Sequence, residues 1–206
     1  MKQIKTLTEF QYDALKEVGN IGIGQATTSL SKMIMNKLVM ITLPELKLVP
    51  LIKLPELIQD ERPVIGIIQE LRGDESGLLL LLLSKESAKR LIKEILGSAQ
   101  EGDNFDEMEQ SVLKELGNIM NGTYITSLSN FLGISMGLST PIEVYDMLDS
   151  IINQIVGNMS MVVEDILFLK TEFVVNSEKL DGTIIVFVNA ESISKLLDAI
   201  NRLVDK

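Results

Sequence analysis

The chain has 206 residues, 29 acidic and 19 basic, and contains no cysteine, histidine or tryptophan. That inventory excludes Ser–His–Asp and Cys–His catalysis and any imidazole or thiolate metal centre, leaving carboxylate, amide, hydroxyl and lysine chemistry. A formal net charge of −10 argues against a nucleic-acid partner and against an anionic membrane surface, both of which attract clustered Lys and Arg.

The hydrophobic fraction of 46% is that of a globular chain, and with only 4% aromatics the core must be built from Leu, Ile, Val and Met. The most apolar run, Leu78 to Leu83, is far below the roughly 20 residues a bilayer span needs. The opening MKQIKTLTEF lacks the apolar segment of a secretory signal, so a cytoplasmic location is expected.

In chain order, Thr8 and Gln11 form a capping-box pattern that predicts a helix from Thr8 to about Met35. Strands are expected at 38–43 and 45–50, with Pro44 between them. A hairpin follows, 63–70 and 77–83 around the polar turn RGDES, and Ser84 then caps an amphipathic helix. The acidic, Gly-containing GSAQEGDN at 97–104 reads as a joint. The second half opens near Asn104 and Phe105 with a long helix to about Phe131. A helix at 145–156, a hairpin turning across NSEKLDG (176–182) and a closing helix capped by Asn189 complete it.

The chain also repeats itself. LKEVGNIGIGQATTSLS at 15–31 matches LKELGNIMNGTYITSLS at 113–129, an offset of 98, and 77–96 parallels 182–203 at an offset of 105. The repeat predicts an α+β fold, internally duplicated about a pseudo-twofold axis. It would be a single domain of two repeats, about 8–98 and 104–205, with a shared β-sheet and two exposed long helices.

At 100° per residue, Asp13, Glu17 and Asn20 fall within an arc of about 60° on the first long helix. Ala14, Leu15, Val18 and Ile21 are expected on its buried face. The second long helix repeats the strip with Ser111, Glu115 and Asn118, over an apolar face of Val112, Leu116 and Ile119. An isolated Glu-x-x-Asn is ordinarily the wet face of a helix. Here each Asn follows a glycine in both copies, although Gly costs about 1 kcal/mol against Ala inside a helix. Close approach by a partner or by another backbone would account for residues so ill suited to a helix. The spacing of Gly19, Gly22 and Gly24 fits neither a P-loop nor a dinucleotide fingerprint, so tight helix packing is expected instead.

Asp/Ser-x-x-x-Glu-x-x-Asn, followed some twenty residues later by Pro, resembles the signature of the CheC-type chemotaxis phosphatases, the group that includes CheX and the flagellar-switch protein FliY. In the second copy 22 residues separate Asn118 from Pro141; in the first, 23 separate Asn20 from Pro44. The resemblance spans nearly the whole chain. It implies a hydrolase that dephosphorylates a phosphorylated CheY-type response regulator in chemotaxis signalling. Glu17, Asn20, Glu115 and Asn118 would then be the catalytic set, the amides holding a water in line with the aspartyl phosphate and the carboxylates pairing with a lysine of the regulator. Asp13, Pro44, Ser111 and Pro141 would support the motif. No cofactor of its own is implied, Mg²⁺ arriving with the regulator. The alternative is an adaptor that binds the CheD receptor deamidase, or a flagellar-switch component, with little catalysis. A protein substrate also predicts that the four catalytic groups lie on open surface, since small-molecule sites are concave.

Overall fold

The computed structural model describes residues 7–35, 38–58, 62–100, 102, 104–158, 165–175, 177–188 and 190–202. In chain order the elements are α1 (Glu9–Met33), β1 (Val39–Pro50), α2 (Leu54–Leu57), β2 (Val64–Gly73), β3 (Gly77–Ser84) and α3 (Lys85–Leu96). Then follow α4 (Glu107–Leu132), β4 (Met136–Leu138), β5 (Ile142–Asp146), α5 (Leu148–Asn158), β6 (Asp165–Val175), β7 (Glu178–Val188) and α6 (Ala190–Asn201).

Reciprocal capping starts both long helices. The Thr8 hydroxyl accepts from the Gln11 backbone N–H at 3.2 Å, and Gln11 Oε1 accepts from the Thr8 N–H at 3.0 Å. Asp106 and Glu109, each 98 residues further on, repeat the box at the start of α4. An acidic N-cap serves as well as a hydroxyl, because only an oxygen acceptor is needed.

Several boundaries differ from the sequence expectation. Pro44 does not divide two strands: β1 is continuous, with a register shift between Thr42 and Glu45. An edge strand tolerates the missing N–H by bulging. The fifth helix starts at Leu148 rather than 145, because Tyr145 and Asp146 pair with Ile65 and Val64. The last hairpin turns more tightly than 176–182, since Lys179 to Gly182 already pair with β6. The strands β4 and β5 and the short α2 were not anticipated, and Asn189 lies outside the described residues. On α1 the buried stripe runs through Leu15, Val18, Gly22, Ala26 and Leu30. Ile21 lies about 100° around the helix from that stripe and is 48% exposed, not buried as expected. Ala14 is half-buried, as is Ile119 on α4, where Val112 and Leu116 are fully buried.

All the strands join one antiparallel seven-stranded sheet in the order β1-β6-β7-β3-β2-β4, with β5 also paired to β2. At its centre Leu80 stands opposite Ile185. These two residues are each other's repeat equivalents at the offset of 105, so the pseudo-twofold axis passes between them. Each half also lends its edge to the other: β1 pairs with β6, while β4 and β5 pair with β2.

The central strands are covered on both faces. Leu79, Leu81, Leu83, Ile184 and Val186 pack in the layer with α1 and α4, whereas Leu80, Leu82, Ile185 and Phe187 pack with Ile151 and Ile155 of α5. Two-sided burial is why the run Leu78 to Leu83 shows no alternation. The closing helices cross between halves. Lys89 of α3 pairs with Glu109 of α4 at 3.0 Å, and Gln11 of α1 donates to Asn201 of α6 at 3.1 Å.

Candidate functional site

The long helices α1 and α4 lie against each other on one face of the sheet. A Cβ on Gly22 would stand 3.1 Å from Tyr124 Cα, so glycine there permits backbone-to-backbone approach. The glycine before each motif asparagine seats its helix on the strands below. A Cβ on Gly19 would meet Leu43 Cδ2 at 2.6 Å, and one on Gly117 would overlap Ile67 Cγ2. Close packing therefore explains Gly19 and Gly22 as expected, but not Gly24, which faces open space.

Asp13, Glu17 and Asn20 on α1, and Ser111, Glu115 and Asn118 on α4, are all exposed. Pro44 is exposed at the bulge of β1, and Asn20 lines an open groove with it and with Ile41 to Leu43. Pro141 is buried in the gap between β4 and β5. Each proline thus interrupts the edge strand contributed by its own half. An apolar cavity of about 230 Å³ lies elsewhere, among Leu15, Leu128, Leu196 and their neighbours, and none of the four motif residues lines it.

The ground beneath the two asparagines differs. Asn118 Oδ1 accepts from Gln69 Nε2 at 3.1 Å, and its Nδ2 donates to Glu115 Oε2 at 3.4 Å. Gln69 is 2% exposed; its Nε2 also donates to the Ser139 carbonyl at 3.0 Å, and its Oε1 accepts from Asn121 Nδ2 at 3.0 Å. Asn121 is fully buried and leaves its own Oδ1 without a partner. At the Asn20 site the equivalent positions are apolar. Gln69 stands opposite Leu79, and Leu169 stands opposite the equivalent Ile184, so Leu169 is the counterpart of Gln69. Ile23 is the counterpart of Asn121 at the offset of 98. The side chain of Asn20 makes no hydrogen bond among the described residues.

Gln69 and Asn121 were not singled out from the sequence. Their signal was a polar residue inside the apolar run VIGIIQEL and another on the inward face of α4, visible only once the halves are compared position by position.

Charge around α4 is graded. Burial pushes the Glu143 carboxyl up, against the pull of Lys114. At the start of the helix burial also raises Glu109, but hydrogen bonds from the Gln100 backbone, Lys89 and the Asp106 backbone outweigh it and hold this carboxyl below its ordinary range. Among the described residues no group of three or more acidic side chains is arranged to hold a metal ion, and no helix is long and apolar enough to cross a membrane.

Comparison with known proteins places these features. The model of the CheC-like family matches residues 10–44 and 108–145, each stretch running along a long helix, through the motif asparagine, to or just past the proline. In both stretches the chain is similar to the CheC-like family. CheY-P phosphatase CheC of Bacillus subtilis is 28% identical over 203 residues, covering 94% of this chain and 95% of that protein. The flagellar motor switch phosphatase FliY of the same organism is 28% identical over 147 residues, which is 70% of this chain but 38% of FliY. The fold is shared with the crystal structure of Thermotoga maritima FliY, at a TM-score of 0.78 and 23% identity over 96% of this chain and 99% of that one. It is shared also with the FliM middle domain of H. pylori, at a TM-score of 0.68 and 12% identity over 94% and 99% of the two chains.

Proposed function

We propose that this protein dephosphorylates a phosphorylated CheY-type receiver domain. The observation that carries the reading is the pair of exposed Glu–Asn strips, one in each segment matched by the family model. The names of its CheC and FliY relatives as phosphatases, CheC as a CheY-P phosphatase, support it.

The receiver docks across a strip, with Glu17 or Glu115 pairing with a lysine beside its aspartyl phosphate. Asn20 or Asn118 then reaches the phosphoryl group, and its amide holds a water in line with the scissile bond. The water oxygen attacks phosphorus, the bond to the aspartyl carboxylate oxygen breaks, and the carboxylate and inorganic phosphate are released. Mg²⁺ bound by the receiver would supply charge neutralisation at the phosphoryl group. Orientation suffices for such a role: a hundredfold gain corresponds to about 2.7 kcal/mol. Open placement of all four residues suits a substrate that brings its own active site.

The test is phosphate loss from a phosphorylated CheY-type receiver in Mg²⁺. The double variant Asn20→Ala, Asn118→Ala should lose turnover and keep binding. Full turnover in that variant would refute the mechanism. An adaptor for CheD or a switch component would bind partners without releasing phosphate in either form.

A further inference from the structure

We infer that Gln69, locked by Asn121 and the Ser139 carbonyl, is a positioning residue that fixes the orientation of the Asn118 amide, and that the Asn20 site lacks this device and turns over more slowly. The inference deepens the phosphatase reading and rests on it for its kinetic half.

The hydrogen bonds run one way only. A backbone carbonyl can only accept, so the Ser139 oxygen requires Gln69 to present Nε2 to it, at 3.0 Å. That choice turns Gln69 Oε1 toward Asn121, whose Nδ2 donates to it at 3.0 Å. The second N–H of Gln69 then needs an acceptor, and Asn118 satisfies it by presenting Oδ1 at 3.1 Å rather than its NH₂. The Asn118 NH₂ is thereby turned toward Glu115. A backbone carbonyl two residues before Pro141, whose ring restricts the chain entering it, thus sets the face that an exposed amide shows to a substrate.

A solvated asparagine amide otherwise flips between two nearly equivalent orientations. An amide that must orient a water is useful in only one of them. The cost is visible in Asn121, which buries an unpartnered Oδ1, a burden that Ile23 spares the first half.

The experiment transplants the residues that hold the equivalent places at the Asn20 site. Gln69→Leu with Asn121→Ile copies Leu169 and Ile23 and replaces both buried partners by apolar groups, a change the fold tolerates better than removing one partner. In an Asn20→Ala background, the swap should lower kcat on a phosphorylated CheY-type receiver roughly tenfold with KM unchanged. In an Asn118→Ala background it should change nothing. A second readout needs no turnover: by ¹⁵N NMR the Asn118 side-chain NH₂ of the native protein should be well ordered and that of Asn20 mobile, and the swap should make the two alike. Unchanged kcat in the folded swap, or an Asn118 amide as mobile as Asn20 in the native protein, overturns the inference. Absence of turnover in the native protein overturns the phosphatase reading instead, and the NMR contrast then decides the positioning on its own.

Discussion

The Asn20 and Asn118 strips carry matching Glu and Asn residues on equivalent helices, yet Asn118 stands on a buried polar network, whereas Leu169 and Ile23 take the equivalent positions at the Asn20 site. Along the strips themselves the two halves differ little. Beneath Asn118 lie Gln69 and Asn121 at zero to 2% exposure, while hydrocarbon fills the equivalent places at the Asn20 site. A repeated motif therefore specifies which groups stand exposed but not how firmly each is held. The same contrast recurs at the helix starts. Glu109 is tied to Lys89 by a partly buried ion pair, where Gln11 makes a neutral bond to Asn201.

The largest expected effect on stability separates those two helix starts. Lys89→Ala leaves the Glu109 carboxylate with only its two backbone donors and should cost about 2–3 kcal/mol, read as a shift in urea midpoint. Asn201→Ala should cost only about 1 kcal/mol. Acid should sharpen the difference. The folded Glu109 carboxyl titrates below the ordinary glutamate value of 4.5, so its stabilisation is complete above that pH and is lost as pH falls through the lower folded value. Gln11 does not titrate. Hydrogen exchange on acidification should therefore open the first turn of α4 before that of α1, and simultaneous opening would break the contrast.

The glycines preceding the motif asparagines give a smaller contrast. Gly117→Ala pushes into a β-branched side chain close to its own backbone and should cost about 1–3 kcal/mol. Gly19→Ala meets only the tip of Leu43, which can rotate away, and should cost less. Equal losses would show that the two helices sit on their strands alike.

Docking should respond next. Glu17→Ala and Glu115→Ala should each weaken receiver binding by about 1 kcal/mol or less, with the deficit shrinking as salt rises. Titration at two ionic strengths reads this, and a salt-independent loss would argue against charge pairing. The smallest effect is at Gly24 and Gly122, repeat equivalents that both face open space. Alanine at either should raise stability by roughly 0.5–1 kcal/mol, and a loss would mean that something covers them.

Much of this was legible before any coordinates. The capping box at Thr8, the hairpin around RGDES, the Ser84 cap and the two long helices follow from local chemistry and from the repeat. The offset of 105 pairs equivalent residues of the two halves, and the sheet brings one such pair, Leu80 and Ile185, face to face. What stayed hidden depended on tertiary pairing. β4 and β5 are short and partly exposed and exist as strands because β2 offers them an edge. Ile21 is apolar enough for the core, but it lies about 100° around α1 from the buried stripe. Gln69 and Asn121 lie 52 residues apart, and no single-residue propensity joins them.

The most direct test sets Asn118→Ala beside Asn20→Ala and follows phosphate release from a phosphorylated CheY-type receiver in Mg²⁺. Both variants should bind the receiver, and Asn20→Ala should keep most of the native turnover. The Asn118 variant should be the slower by roughly tenfold, because the pre-oriented site is the one removed. Equal rates in the two variants, or a slower Asn20→Ala, would contradict the claim that the buried network beneath Asn118 makes it the dominant site.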